Sequence, residues 1–389
     1  MAKAKIKEED KTAKDTKKES SEDLESKFSI EPDGQKKEVK KPVIFKGKTT
    51  YDRSKYIQAK SEHVEYKPES FIPMSKAFQD LTMFPGFPQG HVHMVYGLSD
   101  VGKTTMGLEL AKGMQDINGL PIFVITEKKW NWKRCEIMGI DRNNCIYNDN
   151  LSFIEEACDY IASILKDQSD GKLQEDIVFV WDSVGATPAR AEWEAQEEHN
   201  KMVAKALEEG KDIKELKKQS TAMMVASKVL REQIERKINH LINNTRKKDS
   251  KHFATLFIIN HGYVSPNPMG PASLVPYGGG GIKLACTWMF RQGKVSGSAK
   301  KISATVGGTD IVYGLQVPLV FEKNHLNGLS AQGDVIVTPH GYISATKEAE
   351  EEYKAAHRKD WKDSFKGYFT EAEVEAEVNY DPETGEILE

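Results

Sequence analysis

The sequence predicts an α/β protein in which a mostly parallel central sheet is flanked by helices. Short apolar runs of strand length alternate with longer amphipathic stretches of helix length, the pattern of strands joined by helical crossovers. A glycine-rich turn lies between the first strong strand and the first strong helix. The chain of 389 residues is 39% hydrophobic and 29% charged, which suits a globular core with charged ends.

Residues 1–50 are rich in Lys, Glu, Asp and Ser and are expected to form a disordered or oligomerisation tail. Inside them, residues 40–46 (KKPVIFK) form an apolar island, readable as a short strand that docks on a neighbouring subunit or as a chance triplet. Residues 51–345 are expected to hold the core. Residues 51–89 read as a lead-in ending in the turn 86–90 (GFPQG). Residues 91–96 (HVHMVY) read as a strand, 104–117 as a helix, 121–125 (PIFVI) as a buried strand, and 153–165 as an amphipathic helix. A further strand follows at 176–181 (DIVFVW), then a highly charged helical insert at 191–218 broken at Gly210. Residues 222–242 continue as a longer helix, 255–259 (TLFII) as a strand, and 303–320 as strands at the sheet edge. Residues 346–389 are expected to be a charged helix with an acidic tail.

The turn after the first strand carries the chemistry. Gly97, Leu98, Ser99, Asp100, Val101, Gly102, Lys103 and Thr104 make the complete Walker A pattern G-x-x-x-x-G-K-T, and Thr105 follows. Backbone N–H groups of such a loop, with the helix N-terminus behind it, bind phosphate oxygens. Lys103 would neutralise the terminal phosphates and the Thr104 hydroxyl would ligate Mg²⁺. Asp182 closes the apolar strand 176–181, where a carboxylate can hold the water shell of that Mg²⁺; capping the next turn is its plainer role. Glu127 stands just past the strand 121–125, placed either to orient and deprotonate an attacking water or as a surface residue of the charged stretch 127–129. Asn260 and His261 end the strand 255–259, where a polar side chain can bond a γ-phosphate and relay its presence onward. The loop that follows, 262–281, is rich in Gly and Pro. It holds Tyr263 and runs into Gly278, Gly279, Gly280, Gly281 and Lys283. Four consecutive glycines allow a mobile backbone to follow another closely, and a loop of that length without secondary structure is functional or simply a surface loop.

Composition narrows the alternatives. A net charge of −4 neither demands nor excludes a nucleic-acid partner. Cys135, Cys145, Cys158 and Cys286 form no CxxC pair, which disfavours a zinc site and fits a reducing compartment. The first residues, MAKAKIK, lack the apolar stretch of a signal peptide, and no apolar run is long enough to span a bilayer, so a membrane partner is not expected. The insert 191–218 mixes Trp193, Lys201, Lys205, Lys211, Lys214, Lys217 and Lys218 with many Glu, a solvated helical face more than a basic patch.

Taken together, these residues resemble the RecA recombinase core, and within it the phage UvsX-type strand-exchange recombinases. The resemblance runs from about Ile72 to Leu326. It rests on Ile72-Pro73-Met74 and 86–90 before the cradle, on Ile125-Thr126-Glu127 followed by Met138-Gly139-Ile140-Asp141, and on 180–188 around Asp182. It rests also on Ile258-Ile259-Asn260-His261, on the glycine run 278–281, and on 320–325 (VFEKNH).

The resemblance implies a RecA-like ATPase core using ATP and Mg²⁺, with Glu127 as the catalytic base and His261 as the switch. It implies that Arg134 lies at the nucleotide base and that Lys323, with His325 where RecA carries a second lysine, reaches the neighbouring subunit's nucleotide. It places Tyr263, Gly278, Gly279, Gly280, Gly281 and Lys283 against DNA. The implied protein is a DNA-dependent ATPase that forms helical filaments on single-stranded DNA, pairs them with homologous duplex DNA, meets single-strand-binding and mediator proteins, and works in the cytoplasm of a bacterial or phage-infected cell. A hexameric helicase of the DnaB type, or a RadA- or KaiC-like ATPase, would share the same core motifs.

Overall fold

The computed structural model describes residues 65–209, 222–266, 270–295, 299–306, 309–357 and 361. The expected tail 1–50 with its apolar island, the part of the charged insert holding Lys211, Lys214, Lys217 and Lys218, and the acidic end 362–389 lie outside the described residues.

Strand β1 (Phe71–Pro73) pairs antiparallel with β2 (Gly86–Pro88) across helix α1 (Lys76–Thr82). Residues 86–88 are therefore a strand and not part of a turn. Glycine is required at 86 because a Cβ there would sit 1.8 Å from the Ile72 carbonyl oxygen.

Strand β3 (Val92–Gly97) then enters the phosphate loop, and helix α2 (Lys103–Asp116) leaves it. The chain continues through β4 (Leu120–Ile125), α3 (Trp132–Ile137), β5 (Ile146–Asn148), α4 (Ile154–Ser169) and β6 (Ile177–Asp182) to α5 (Arg190–Glu208). Helix α6 runs from Ala222–Leu230 through a π-helical stretch, Arg231–Ile238, to Asn239–Asn244. Beyond it lie β7 (Ala254–Ser265), β8 (Ser273–Pro276), helix α7 (Gly279–Ala285), β9 (Trp288–Gln292), β10 (Lys300–Val306), β11 (Thr309–Asn324), β12 (Ala331–Thr338), β13 (Gly341–Ser344) and helix α8 (Lys347–His357).

The central sheet runs in the order β13-β12-β11-β9-β3-β7-β6-β4-β5. From β9 to β5 every pairing is parallel, and from β9 outward through β11, β12 and β13 every pairing is antiparallel. Strands of the parallel part read as continuous apolar runs because both of their faces are covered. On one face Val95, Phe123, Val180, Phe257 and Phe290 meet Met106, Leu110 and Met114 of α2. On the other, Met94, Val124, Phe179 and Ile258 meet Ile154, Ile161 and Leu165 of α4 and Leu230, Ile234 and Ile238 of α6. Burying one such side chain contributes about 1.5–3 kcal/mol, so the two layers hold strand ends, and whatever they carry, in fixed register.

Two further expectations are corrected. The segment 303–320 does form strands, and β10, paired with β11 alone, is at an edge, but β11 lies inside the sheet, between β9 and β12, and two further strands follow. The segment 262–281 is not a loop without structure: β7 continues four residues past His261 and pairs with β8, register Gly262↔Pro276 to Ser265↔Ser273, and Gly278 starts α7. The strand was hidden because its outer half, Gly262-Tyr263-Val264-Ser265, leaves the covered sheet and loses the apolar run. Among the described residues no helix is long and apolar enough to cross a membrane.

Candidate active site

The carboxyl ends of β3, β4, β6 and β7 open into a cavity of about 920 Å³. The phosphate loop forms its floor. Asp100 (φ 59°) and Gly102 (φ 88°) take left-handed backbone, the kind of loop conformation that can line up N–H groups for an anion. A Cβ on Gly102 would lie 2.5 Å from Val337 Cγ1, and one on Gly97 would lie 2.2 Å from the Gln292 carbonyl oxygen. The antiparallel half of the sheet therefore braces the loop from behind. Gln292 Nε2 donates to the Val101 carbonyl at 2.6 Å, and the Tyr342 hydroxyl donates to Gln292 Oε1 at 2.8 Å. Buried Glu109 of α2 accepts from the backbone N–H groups of Ser75 and Tyr342, at 2.6 and 2.9 Å. Sequence reading passed over Gln292, Tyr342 and Glu109, because each meets the loop or its helix only through a distant strand.

Lys103 is buried and its Nζ donates to the Leu98 carbonyl at 2.6 Å. Burial lowers its pKa, while Asp182, Glu127 and Asp100 pull in the opposite direction. The Thr104 hydroxyl donates to Asp182 Oδ2 at 2.8 Å. Burial pushes the Asp182 carboxyl up, against the Thr104 hydrogen bond and the charge of Lys103. Hydroxyl and carboxylate side by side are hard oxygen donors. Among the described residues no cluster of three or more His, Cys, Asp or Glu could hold a metal alone. This pair suits Mg²⁺, which keeps several waters and shares substrate phosphates, better than a metal needing a full protein cage.

Glu127 stands beyond the end of β4, and His261 lies on β7. Their side chains meet: His261 Nε2 is 2.7 Å from Glu127 Oε1. Ser183, next to Asp182, donates its hydroxyl to the same carboxylate oxygen and lies 3.1 Å from His261 Nε2. The hydrogen bond from His261 holds the Glu127 carboxyl far below the usual carboxylate range, at about 2, with Ser183 adding to it. A Cβ on Gly185 would sit 2.7 Å from the His261 backbone nitrogen, so the turn after β6 packs directly under the histidine.

Asn260 does not face the cavity. It is buried, and its Nδ2 donates to the Tyr277 carbonyl at 2.9 Å, while the Tyr277 N–H donates to the His261 carbonyl at 2.9 Å. The strand end that carries His261 is thus tied to the start of the glycine helix. Tyr263 lies on the β7–β8 hairpin and is 37% exposed, so its ring is open to solvent at one side. Gly278 (φ 89°) and Gly279 (φ 65°) need glycine for their backbone, and a Cβ on Gly281 would meet Arg231 Cβ at 2.7 Å; only Gly280 is open. The glycine run is the seat of α7 against α6, not a free loop.

Lys103, Thr104, Thr105, Ser99, Asp100, Gly102, Glu127, Arg134, Asp182 and His261 all line the cavity. Gly97 ends β3, and Leu98 and Val101 belong to the loop that follows it. Arg134 reaches the Thr105 hydroxyl and donates to it. Lys323 and His325 are not among the lining residues. Lys323 Nζ donates to the Lys283 carbonyl at the end of α7, at 2.5 Å, and the His325 N–H donates to the Thr287 carbonyl. Burial lowers the pKa of Lys323. Burial and then the nearby Lys323 lower that of His325.

The RecA N-terminal domain family matches residues 55–254. Protein RecA of Mycoplasma mycoides subsp. mycoides is 28% identical over 130 residues, 33% of this chain and 35% of that protein. Protein RecA of Gloeothece citriformis is 30% identical over 125 residues, 32% and 33% of the two chains. Protein RecA of Campylobacter fetus subsp. fetus is 30% identical over 109 residues, 28% and 30%. The chain thus spans about a third of the length of the curated relatives it matches.

Proposed function

The chain belongs to the RecA family, whose N-terminal domain accounts for residues 55–254 of its 389, and from that premise we propose that it is an ATP-dependent DNA recombinase of the phage UvsX type. It assembles as a filament on single-stranded DNA, hydrolyses ATP, and exchanges that strand into a homologous duplex in recombination, repair and replication. The observation that carries this reading is the bonded path from the phosphate cradle to the hairpin: Thr104 to Asp182, then Ser183, Glu127 and His261, then Tyr277 and the glycine helix.

In this reading Lys103 and the loop N–H groups hold the β- and γ-phosphates, and Thr104 and Asp182 would hold Mg²⁺, which would neutralise phosphate charge when bound. Glu127 accepts the proton of the attacking water. His261 leaves Glu127 for the γ-phosphate, and its strand moves the β7–β8 hairpin, with Tyr263, and α7, with Lys283, toward DNA phosphates. Lys323 and His325 act on the neighbouring protomer's nucleotide, which agrees with their place outside their own cavity. The working compartment is the bacterial cytoplasm, and single-strand-binding and mediator proteins are the expected partners.

Strand exchange between a circular single strand and a homologous linear duplex tests the proposal. Joint molecules that require ATP are expected. Their absence from a folded, ATP-binding preparation would sink it, and closed rings in place of filaments on single-stranded DNA would favour a helicase.

A further inference from the structure

We propose that Arg134 grips the phosphate chain of the nucleotide from the side facing the cradle, and does not stack on the base. The inference rests on the reading of the cavity as a nucleoside triphosphate site and assigns one of its contacts.

Arg134 sits on α3, a helix held at its start by Asn131, whose side chain accepts from the Lys133 N–H at 2.9 Å. From there its guanidinium runs down to the first turn of α2 and donates to the hydroxyl of Thr105. Thr105 is completely buried and stands two residues after Lys103, directly behind the Mg²⁺-side Thr104. The tip of Arg134 is therefore fastened at the phosphate end of the cavity. Glu127 stands in the segment between β4 and α3, bonded to His261, while Arg134 on α3 itself is bonded to the first turn of α2.

The electrostatics point the same way. A guanidinium carries five N–H donors in a fixed fork, and the Thr105 hydroxyl takes one of them. Among the described residues no carboxylate comes within ion-pair distance of Arg134. Burial lowers its pKa, and the Asp182 carboxyl is the largest influence opposing that. A desolvated cation without a partner is costly; an anion that enters the cavity supplies that partner. The planar fork matches two oxygens of a phosphate at once, which a lysine ammonium cannot do. Stacking on a base would need the guanidinium to leave the first turn of α2, where its bond to Thr105 holds it.

Competition of inorganic tripolyphosphate against a fluorescent ATP analogue, with Mg²⁺ and the full chain, separates the two roles, because tripolyphosphate has no base. Wild type should bind both. Arg134→Gln should weaken tripolyphosphate and ATP by the same factor, at least about tenfold for a charge-assisted contact of this kind. Arg134→Lys, which keeps the charge but not the fork, should fall between them and keeps the test alive if the glutamine variant unfolds. Loss of ATP affinity with unchanged tripolyphosphate affinity would overturn the inference in favour of base stacking; unchanged affinity for both would overturn it outright. Wild type that binds neither would instead overturn the nucleotide reading itself.

Discussion

His261 and Glu127 come from strands that are not adjacent in the sheet, yet their side chains meet at 2.7 Å, with the Ser183 hydroxyl on the same carboxylate oxygen. The residue expected to sense phosphate thus occupies the residue expected to activate water. A nucleotide that draws His261 away would free the carboxylate and pull on the hairpin in one movement, so under the proposed function hydrolysis and DNA grip would share a single contact.

Glu127→Gln keeps the size and the hydrogen-bonding reach of the side chain but cannot accept a proton. ATP binding and nucleotide-dependent DNA binding are expected to persist while phosphate release falls by about 10²–10⁴. Single-turnover phosphate release beside a filter-binding assay checks both halves; undiminished turnover would remove Glu127 from catalysis.

The same pair has a pH signature. The Glu127 carboxyl titrates at about 2 in the folded protein against an ordinary 4.5, so the unfolded chain takes up its proton first as acid is added. The stability this contact gives is whole above about pH 4.5 and is lost as pH falls toward 2. His261→Ala removes the largest cause of the shift. Urea midpoints of wild type and variant should differ at about pH 6 and converge near pH 2–3. A gap that stays constant across that range would show that the pair does not stabilise the fold through ionised Glu127.

Asp182→Asn leaves the Thr104 hydroxyl an acceptor but removes the charge that orders a Mg²⁺ water shell. The Mg²⁺ concentration for half-maximal hydrolysis should rise by about 10–100-fold, with ATP affinity in the absence of Mg²⁺ little changed. A Mg²⁺ titration decides, and an unshifted midpoint would return Asp182 to a capping role.

The glycine run makes a sharper structural test. A Cβ at Gly280 meets nothing within 4 Å, and one at Gly281 meets Arg231 Cβ at 2.7 Å. Gly280→Ala should leave thermal stability unchanged or raise it by about 0.5–1 kcal/mol, since alanine favours a helix. Gly281→Ala should cost about 1–3 kcal/mol by overpacking α7 against α6. Equal, negligible effects would mean that the run is the free loop its composition suggests.

What the sequence made legible follows from where the information is stored. The cradle is local: strand, turn and helix lie within about twenty residues, and the loop's chemistry is spelled by the residues that perform it. The parallel strands announce themselves because both faces are buried, so Ile177 to Trp181 or Leu256 to Ile259 are apolar without alternation. Ser273–Pro276 shows no such signal, being a short strand with one exposed face, and its partner 262–265 contains a glycine and a serine. The support of the site was equally hidden. Gln292 reaches Val101 across 191 residues of sequence, and Tyr342 reaches Gln292 from a strand that pairs only at the end of the sheet. Nothing near either residue in the chain marks it. Ser183 could have been found, since it follows Asp182 and its hydroxyl stands at a strand end facing the same cavity.

If this cavity is a nucleotide engine coupled to DNA, phosphate release at fixed ATP and Mg²⁺ must respond to single-stranded oligo(dT). DNA is expected to raise the rate several-fold in wild type, and His261→Ala to abolish the increase while still binding ATP. A wild-type rate that is the same with and without DNA would contradict the coupling.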